Sequence, residues 1–111
     1  MLTAKQLKWQ LRNGPKAKCF RPPYGATNAT VQKAIKKAGM RQVLWSIDTL
    51  DWTRPGTAKL AKTGRLKAVQ NGSIILMHDG GGDRSQTLAA LPQLIHDLKA
   101  RGFTVRALPY C

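Results

Sequence analysis

Apolar positions along the chain alternate between helical spacing and short continuous runs. Segments with helical spacing begin near residues that favour helix starts, namely Thr3, Asn28, Thr57 and Asp83. Each is followed by a short run typical of a strand, and these runs cover residues 19–20, 43–47, 73–77 and 104–108. Helices that alternate with strands over short connections indicate a parallel sheet.

The ends of the predicted strands recur about every 30 residues, which is the length of a strand, helix and returning strand. The fold class is therefore α/β, either as a small open sheet or as an arc of a barrel. In both arrangements ligands bind beyond the C-terminal ends of the strands.

The predicted helices have identifiable caps and buried faces. Thr3 with Gln6 forms a capping box, and the third helix should run over residues 57–69. For the last helix, Asp83 with Gln86 is the expected cap, and the expected buried stripe consists of Leu88, Leu91, Ile95 and Leu98.

Charged side chains collect where the predicted strands end. Arg21 follows the first strand, Asp48 and Asp51 follow the second, and His78 and Asp79 follow the third. A carboxylate near an imidazole stabilises the charged ring, and the charged ring donates a proton. The pattern favours a site for proton transfer at this rim.

Three segments carry a resemblance to a known family. The sequences RPPYG at 21–25, DTLDW at 48–52 and IILMHD at 74–79 resemble the third, fourth and fifth motifs of the NodB-homology polysaccharide deacetylases, carbohydrate esterase family four. The resemblance implies that residues 1–111 are the C-terminal portion of such a domain. It also implies part of a distorted (β/α) barrel with about four parallel strands.

The resemblance implies hydrolysis of N-acetyl or O-acetyl groups on chitin, peptidoglycan or xylan. By it, His78 is the general acid that protonates the leaving group, Asp51 tunes His78, and Arg21 orients the catalytic base. The backbone N–H of Tyr24 would stabilise the oxyanion. Trp52 and Leu76 would form the apolar wall around the acetyl methyl group.

The family uses one divalent metal, zinc or cobalt, and this sequence departs from the family in the residues that hold it. The sequence contains no Asp-Asp pair, which is the mark of the first family motif, and no His-x-x-x-His segment, because His78 and His96 are the only histidines. We therefore expect no metal to be held by this chain and expect the isolated chain to be inactive. A complementary N-terminal half, or self-association through an exposed sheet edge, would then be the partner.

Composition supports a globular domain and bears on two other classes of function. Hydrophobic residues make up 42% of the chain and charged residues 22%, with a net charge of +14. Because the lysines are dispersed, they indicate a solvated face rather than a nucleic-acid site, and Gly80–Gly82 lacks the remaining residues of a phosphate loop. The main alternative is a module that binds a glycan or an anionic wall polymer without cleaving it.

The sequence leaves location and cysteine pairing open. Relatives of this family are usually secreted or attached to the cell envelope, yet the N-terminal residues lack the apolar core of a signal peptide. No apolar run approaches the roughly 20 residues that cross a bilayer. Cys19 and Cys111 either pair or remain two free thiols.

Overall fold

The structure is a computed structural model that describes residues 2–111 and divides into two units. The first unit runs to Leu44 and also includes Ala107–Cys111, and the second unit consists of Trp45–Arg106. Short parallel strands and longer helices alternate along both units, which confirms the α/β character predicted from the pattern.

The first unit contains two capped helices and one pair of strands. Thr3 Oγ1 accepts from Gln6 N at 3.1 Å while Gln6 Oε1 accepts from Thr3 N at 3.0 Å, which confirms the capping box. Asn28 caps the second helix by accepting from Val31 N at 2.9 Å. The elements are α1 (Ala4–Asn13), β1 (Cys19–Phe20), α2 (Ala29–Lys37) and β2 (Arg41–Gln42), with β1 parallel to β2.

A small apolar cluster and one covalent link hold the first unit together. Leu7 of α1 packs with Val31 and Ile35 of α2. Cys19 forms a disulfide with Cys111, which settles the question that the sequence left open. The C-terminal residues are therefore fixed to the start of β1.

The second unit is built around one long helix. Its core consists of Ile47, Val69, Leu94 and Leu98, and Leu60 of the third helix is also buried. The elements are β3 (Ile47–Asp48), α3 (Thr57–Ala61), β4 (Ile75–Leu76) and α4 (Ser85–Ala100), with single 3₁₀ turns at Asp51–Thr53 and Lys62–Arg65. β3 and β4 are parallel, and Asp48 lies opposite Leu76.

Three of the four predicted strands are wrong in extent or existence. The strand predicted over residues 73–77 is limited to Ile75–Leu76. Residues 43–47 do not form one strand, because this run is divided between the two units and only Ile47 belongs to a strand. Residues 104–108 form no strand, since no described segment pairs with them. Within residues 2–111 the structure has four short strands, because Arg41–Gln42 pairs with β1, but they form two separate parallel pairs and not one sheet.

The two C-terminal helices also differ from the prediction. The third helix ends at Ala61 and tightens into the Lys62–Arg65 turn instead of continuing to residue 69. In α4 the buried face is rotated from the expected one. Leu88 is 60% exposed and Leu91 is 36% exposed, whereas the buried residues are Thr87, Ala90, Leu94, Asp97 and Leu98.

Candidate active site

His78 and Asp51 are hydrogen-bonded to each other beyond the C-terminal ends of β4 and β3. Nδ1 of His78 lies 2.7 Å from Oδ1 of Asp51. An ionised carboxylate only accepts hydrogen bonds, so Nδ1 carries the proton that joins the two side chains. The ring nitrogen Nε2 is therefore the one left for a substrate, and 37% of the His78 side chain is exposed to solvent.

The Asp51 carboxylate is buried and receives two further hydrogen bonds. Only 2% of the residue is exposed. Its Oδ2 accepts from the backbone N–H of His78 at 2.7 Å and from Oγ1 of Thr87 at 2.9 Å. Burial raises the pKa of Asp51, but the hydrogen bonds from His78 and Thr87 outweigh burial and hold the pKa below its ordinary value. Asp51 is thus an anion that can stabilise a charged His78.

The turn that presents Asp51 has a strained backbone. Leu50 and Arg54, on either side of the Asp51–Thr53 turn, both have left-handed conformations with φ values of 52° and 54°. Each such residue costs on the order of 1 kcal/mol. Asp48 offsets part of this cost, because its Oδ1 accepts from Leu50 N at 3.0 Å. The surrounding contacts, rather than the local preference of the chain, therefore fix the position of Asp51.

The predicted apolar wall residues, Trp52 and Leu76, belong to the second unit and are within two residues of Asp51 and His78 in the sequence. Trp52 follows Asp51 directly and is 58% exposed, and Leu50 is 48% exposed. Leu76 ends β4 and is partly buried, and its carbonyl accepts from Oγ1 of Thr49 at 2.7 Å. Trp52 therefore offers an aromatic face to solvent at the residue that follows Asp51.

Arg21 and Tyr24, the other predicted site residues, belong to the first unit. The Arg21 guanidinium donates to the carbonyls of Val43 and Leu44, each at 3.2 Å. Tyr24 is 96% exposed and has a left-handed backbone, with φ at 60°. Their roles toward a substrate stay predictions, because the contacts within the first unit do not test them.

Comparison of the sequence with known proteins finds deacetylases. The chain is 45% identical over 86 residues to a peptidoglycan-N-acetylglucosamine deacetylase of Bacillus cereus, which covers 76% of this chain and 40% of that protein. It is 41% identical over 101 residues to a chitooligosaccharide deacetylase of Azorhizobium caulinodans, with 81% of this chain and 48% of that protein covered. The chain thus spans less than half the length of these relatives. No protein-family profile matches the chain.

Comparison with solved structures gives the same family. A family 4 carbohydrate esterase from Streptomyces lividans, solved in complex with acetate, matches with a TM-score of 0.77 and 33% identity over 91% of this chain and 55% of that chain. The chain is therefore similar to members of carbohydrate esterase family 4. A family 4 pseudoenzyme from Bacillus anthracis matches with a TM-score of 0.80 and 29% identity, covering 94% of this chain and 38% of that chain. The resemblance predicted from the three motifs is confirmed.

The divalent metal that family 4 implies does not fit the residues present. Among residues 2–111, no three His, Cys, Asp or Glu side chains are close enough together to hold a metal ion. Of the two histidines, His78 is engaged by Asp51 through Nδ1, and His96 is an exposed residue of α4. Among the described residues, the second unit therefore presents the hydrogen-bonded pair of His78 and Asp51 without an adjacent metal-binding cluster.

The family 4 motifs did not identify Thr87, which contacts the site directly. Thr87 is 4% exposed and lies in the first turn of α4. The sequence contains one signal that points to it: Thr87 shares a helical row with Ala90, Leu94 and Leu98, so it is a polar residue in an otherwise apolar row. A buried hydroxyl in such a row needs a polar partner.

Gln86, the neighbour of Thr87, has a different partner from the one predicted. Its Oε1 accepts from the backbone N–H of Gly56 at 2.8 Å, and the helix begins at Ser85 rather than at a cap formed by Asp83 and Gln86. Asp83 instead accepts from Ser85 N at 2.9 Å and pairs with Arg54.

Within residues 2–111, no helix has both the length and the apolar character that crossing a membrane requires.

Proposed function

We propose that this chain provides the proton-donating part of a glycan deacetylase site, with His78 as the general acid and Asp51 as the carboxylate that keeps His78 charged. The observation that carries the proposal is the 2.7 Å contact between Nδ1 of His78 and Oδ1 of the buried Asp51. The chain corresponds in this view to the C-terminal part of the family 4 domain.

The chemistry follows from the two nitrogens of His78. Hydrolysis of an N-acetyl group adds water to the acetyl carbonyl carbon and breaks the bond between that carbon and nitrogen. The departing amine nitrogen is a poor leaving group unless it is protonated. In the imidazolium form, Nε2 of His78 carries that proton, while Nδ1 stays bonded to Asp51. The base of the complementary segment would take one proton from the attacking water. Acetic acid and the neutral amine then leave and exchange a proton in solvent, and the proton held by the base returns to Nε2 through solvent.

The remaining roles are carried over from the family resemblance. Trp52, with 58% of its surface exposed beside Asp51, would form the acetyl wall together with Leu76. The backbone N–H of Tyr24 would donate to the oxyanion, and Arg21 would orient the base. The left-handed backbone of Tyr24 supports its part, because strained conformations persist where the surroundings require them, often at functional sites.

The water, its base and the metal belong to a second segment in this proposal. Residues 2–111 contain no cluster of three potential metal ligands, and relatives are more than twice as long as the matched region. We therefore expect the chain to act only together with the complementary segment of a deacetylase domain, in the same or another polypeptide.

A complementation assay tests this function. The chain is incubated with an N-acetylglucosamine oligomer and zinc or cobalt, alone and together with the N-terminal half of a related deacetylase. We expect acetate release only in the mixture and a loss of about 100-fold or more with His78→Ala. His96→Ala is the matched control, because His96 is exposed on α4 and should leave the rate unchanged. Acetate release that survives His78→Ala contradicts the proposal.

A second candidate function is glycan binding without cleavage. It is favoured by the similarity to the Bacillus anthracis pseudoenzyme and by the exposed pair Trp52 and Leu50. Titration of the chain with an N-acetylglucosamine oligomer, followed by isothermal calorimetry, tests it. Binding that is lost in Trp52→Ala but kept in Trp9→Ala supports this candidate, because Trp9 is 66% exposed on α1 and lies outside the second unit. Saturable binding in the absence of acetate release in the mixture would favour it over catalysis.

A further inference from the structure

The position of Thr87 is fixed by the packing of α4 in the core and not by the Asp51–Thr53 turn. It lies on α4, whose Ala90, Leu94 and Leu98 are at most 6% exposed and anchor the helix in the second unit. A threonine hydroxyl has one hydrogen, and in a helix it commonly donates to a carbonyl one turn back. In Thr87 this hydrogen is directed across to Oδ2 of Asp51 at 2.9 Å instead.

The same turn of α4 holds the segment that follows Asp51. Gln86 accepts from the backbone N–H of Gly56 at 2.8 Å. Two consecutive residues of α4 therefore contact the segment from Asp51 to Gly56 at two points, the carboxylate of Asp51 and the backbone N–H of Gly56. This matters because Leu50 and Arg54, which flank the turn, have left-handed conformations that the local chain does not favour.

We propose that Thr87 is a positioning residue of the deacetylase site, whose hydroxyl keeps the Asp51 carboxylate turned toward the ring of His78. The inference rests on the proposed function of His78 as the proton donor. Without the hydroxyl, Oδ2 keeps a single donor, the backbone N–H of His78. A buried carboxylate that loses a donor is protonated more readily, and a protonated Asp51 does not stabilise an imidazolium.

The test uses the isotope-labelled chain without glycan or metal. The carboxyl carbon of Asp51 is titrated by NMR in the wild type and in two variants. Thr87→Val keeps the shape of the side chain but removes the hydrogen-bond donor. Thr87→Ser keeps the donor. Because the Thr87 bond lowers the pKa of Asp51, we expect the midpoint to move upward in Thr87→Val and to return toward the wild-type value in Thr87→Ser. Thr63→Val, at another buried threonine of the second unit, should leave the midpoint unchanged.

A wild-type measurement covers the case in which Thr87→Val does not fold. In the unmodified chain the Cβ resonance of Thr87 should titrate with the same midpoint as the Asp51 carboxyl carbon. The proposal is overturned if folded Thr87→Val titrates like the wild type, or if the Thr87 resonance does not follow Asp51.

These readouts separate the positioning role from the proposed function. If Asp51 responds to Thr87 while no mixture releases acetate, the positioning contact is upheld and the catalytic function fails. If acetate release depends on His78 while the titration midpoint of Asp51 is unchanged in Thr87→Val, the positioning role alone fails. In an active mixture, Thr87→Val should lower kcat with little change in KM, and Thr87→Ser should restore kcat.

Discussion

The second unit holds its central residues with buried hydrogen bonds, whereas the first unit relies on a covalent link. Around Asp51, three donors from His78 and Thr87 converge on one buried carboxylate. In the first unit, the Cys19–Cys111 disulfide ties the C-terminal residues to β1, and Arg41 lies over the ring of Tyr110 at 4.5 Å.

This difference has a physical consequence. A buried polar network stabilises a fold only while every member is present, because each orphaned group has lost its water. A disulfide acts mainly by restricting the unfolded chain. The second unit should therefore be sensitive to single changes in hydrogen bonding and to acid, and the first unit to reduction.

Removal of the disulfide should have the largest effect. Cys19 and Cys111 are separated by 92 positions, and closing a loop of that size raises the free energy of the unfolded chain by about 4.6 kcal/mol. Cys19→Ser combined with Cys111→Ser should lower the free energy of unfolding by about that amount in urea titrations followed by circular dichroism. Reduction of the wild type is the matched control, and the NMR signals of the His78 ring should stay unchanged. If removal of the disulfide changed only the NMR signals of His78, the second unit and not the first would depend on the disulfide.

Replacement of Asp51 should have the next largest effect. Asp51→Asn places an amide N–H₂ among three donors in a buried site and should destabilise the protein by about 2–3 kcal/mol. Asp48→Asn is the control, because Asp48 is exposed and an asparagine oxygen still accepts from Leu50 N. Thermal unfolding compares the two variants. Equal effects would show that the carboxylate network is not a main support of the second unit.

Gly64→Ala tests the packing that anchors α4. A Cβ added at Gly64 would lie 2.6 Å from the carbonyl oxygen of Leu94. Either the Lys62–Arg65 turn or α4 must then move, at a cost of about 1–3 kcal/mol. Gly80→Ala meets no atom within 4 Å and serves as the neutral control in the same urea titration. A neutral Gly64→Ala would show that the two backbones are not in close contact.

Acid should weaken the second unit through Asp51. The folded pKa of Asp51 lies below its ordinary value of 3.8. Its ionisation therefore contributes stability that is complete above about pH 4 and is lost as the pH falls through the folded pKa. Between pH 7 and pH 3 the wild type should lose more stability than Asp51→Asn, in thermal unfolding followed at both pH values. The loss of stability in acid should be smaller than the loss caused by Asp51→Asn, since only one proton is bound. Equal losses of stability in the wild type and Asp51→Asn would contradict a role of Asp51 in acid sensitivity.

Several elements followed from the sequence alone because their causes are local. The Thr3 and Gln6 capping box and the Asn28 cap depend on side chains within one turn of the helix they begin. The pair of His78 and Asp51 was predicted because both follow short strands, and the C-terminal ends of parallel strands lie at the same edge. Three motifs in order were also enough to identify the family that the chain resembles.

Tertiary structure decided the rest, because those features depend on partners far along the chain. The buried face of α4 could not be told from its sequence, since the helix is apolar on two sides and the packing of α3 and the Lys62–Arg65 turn selects one of them. The cysteine pairing and the absence of a strand over residues 104–108 likewise depend on which segments meet. The contact between Thr87 and Asp51 joins positions 36 residues apart, and no local preference encodes it. The sequence thus supplied the charged pair, and the packing of α4 determined what holds that pair in place.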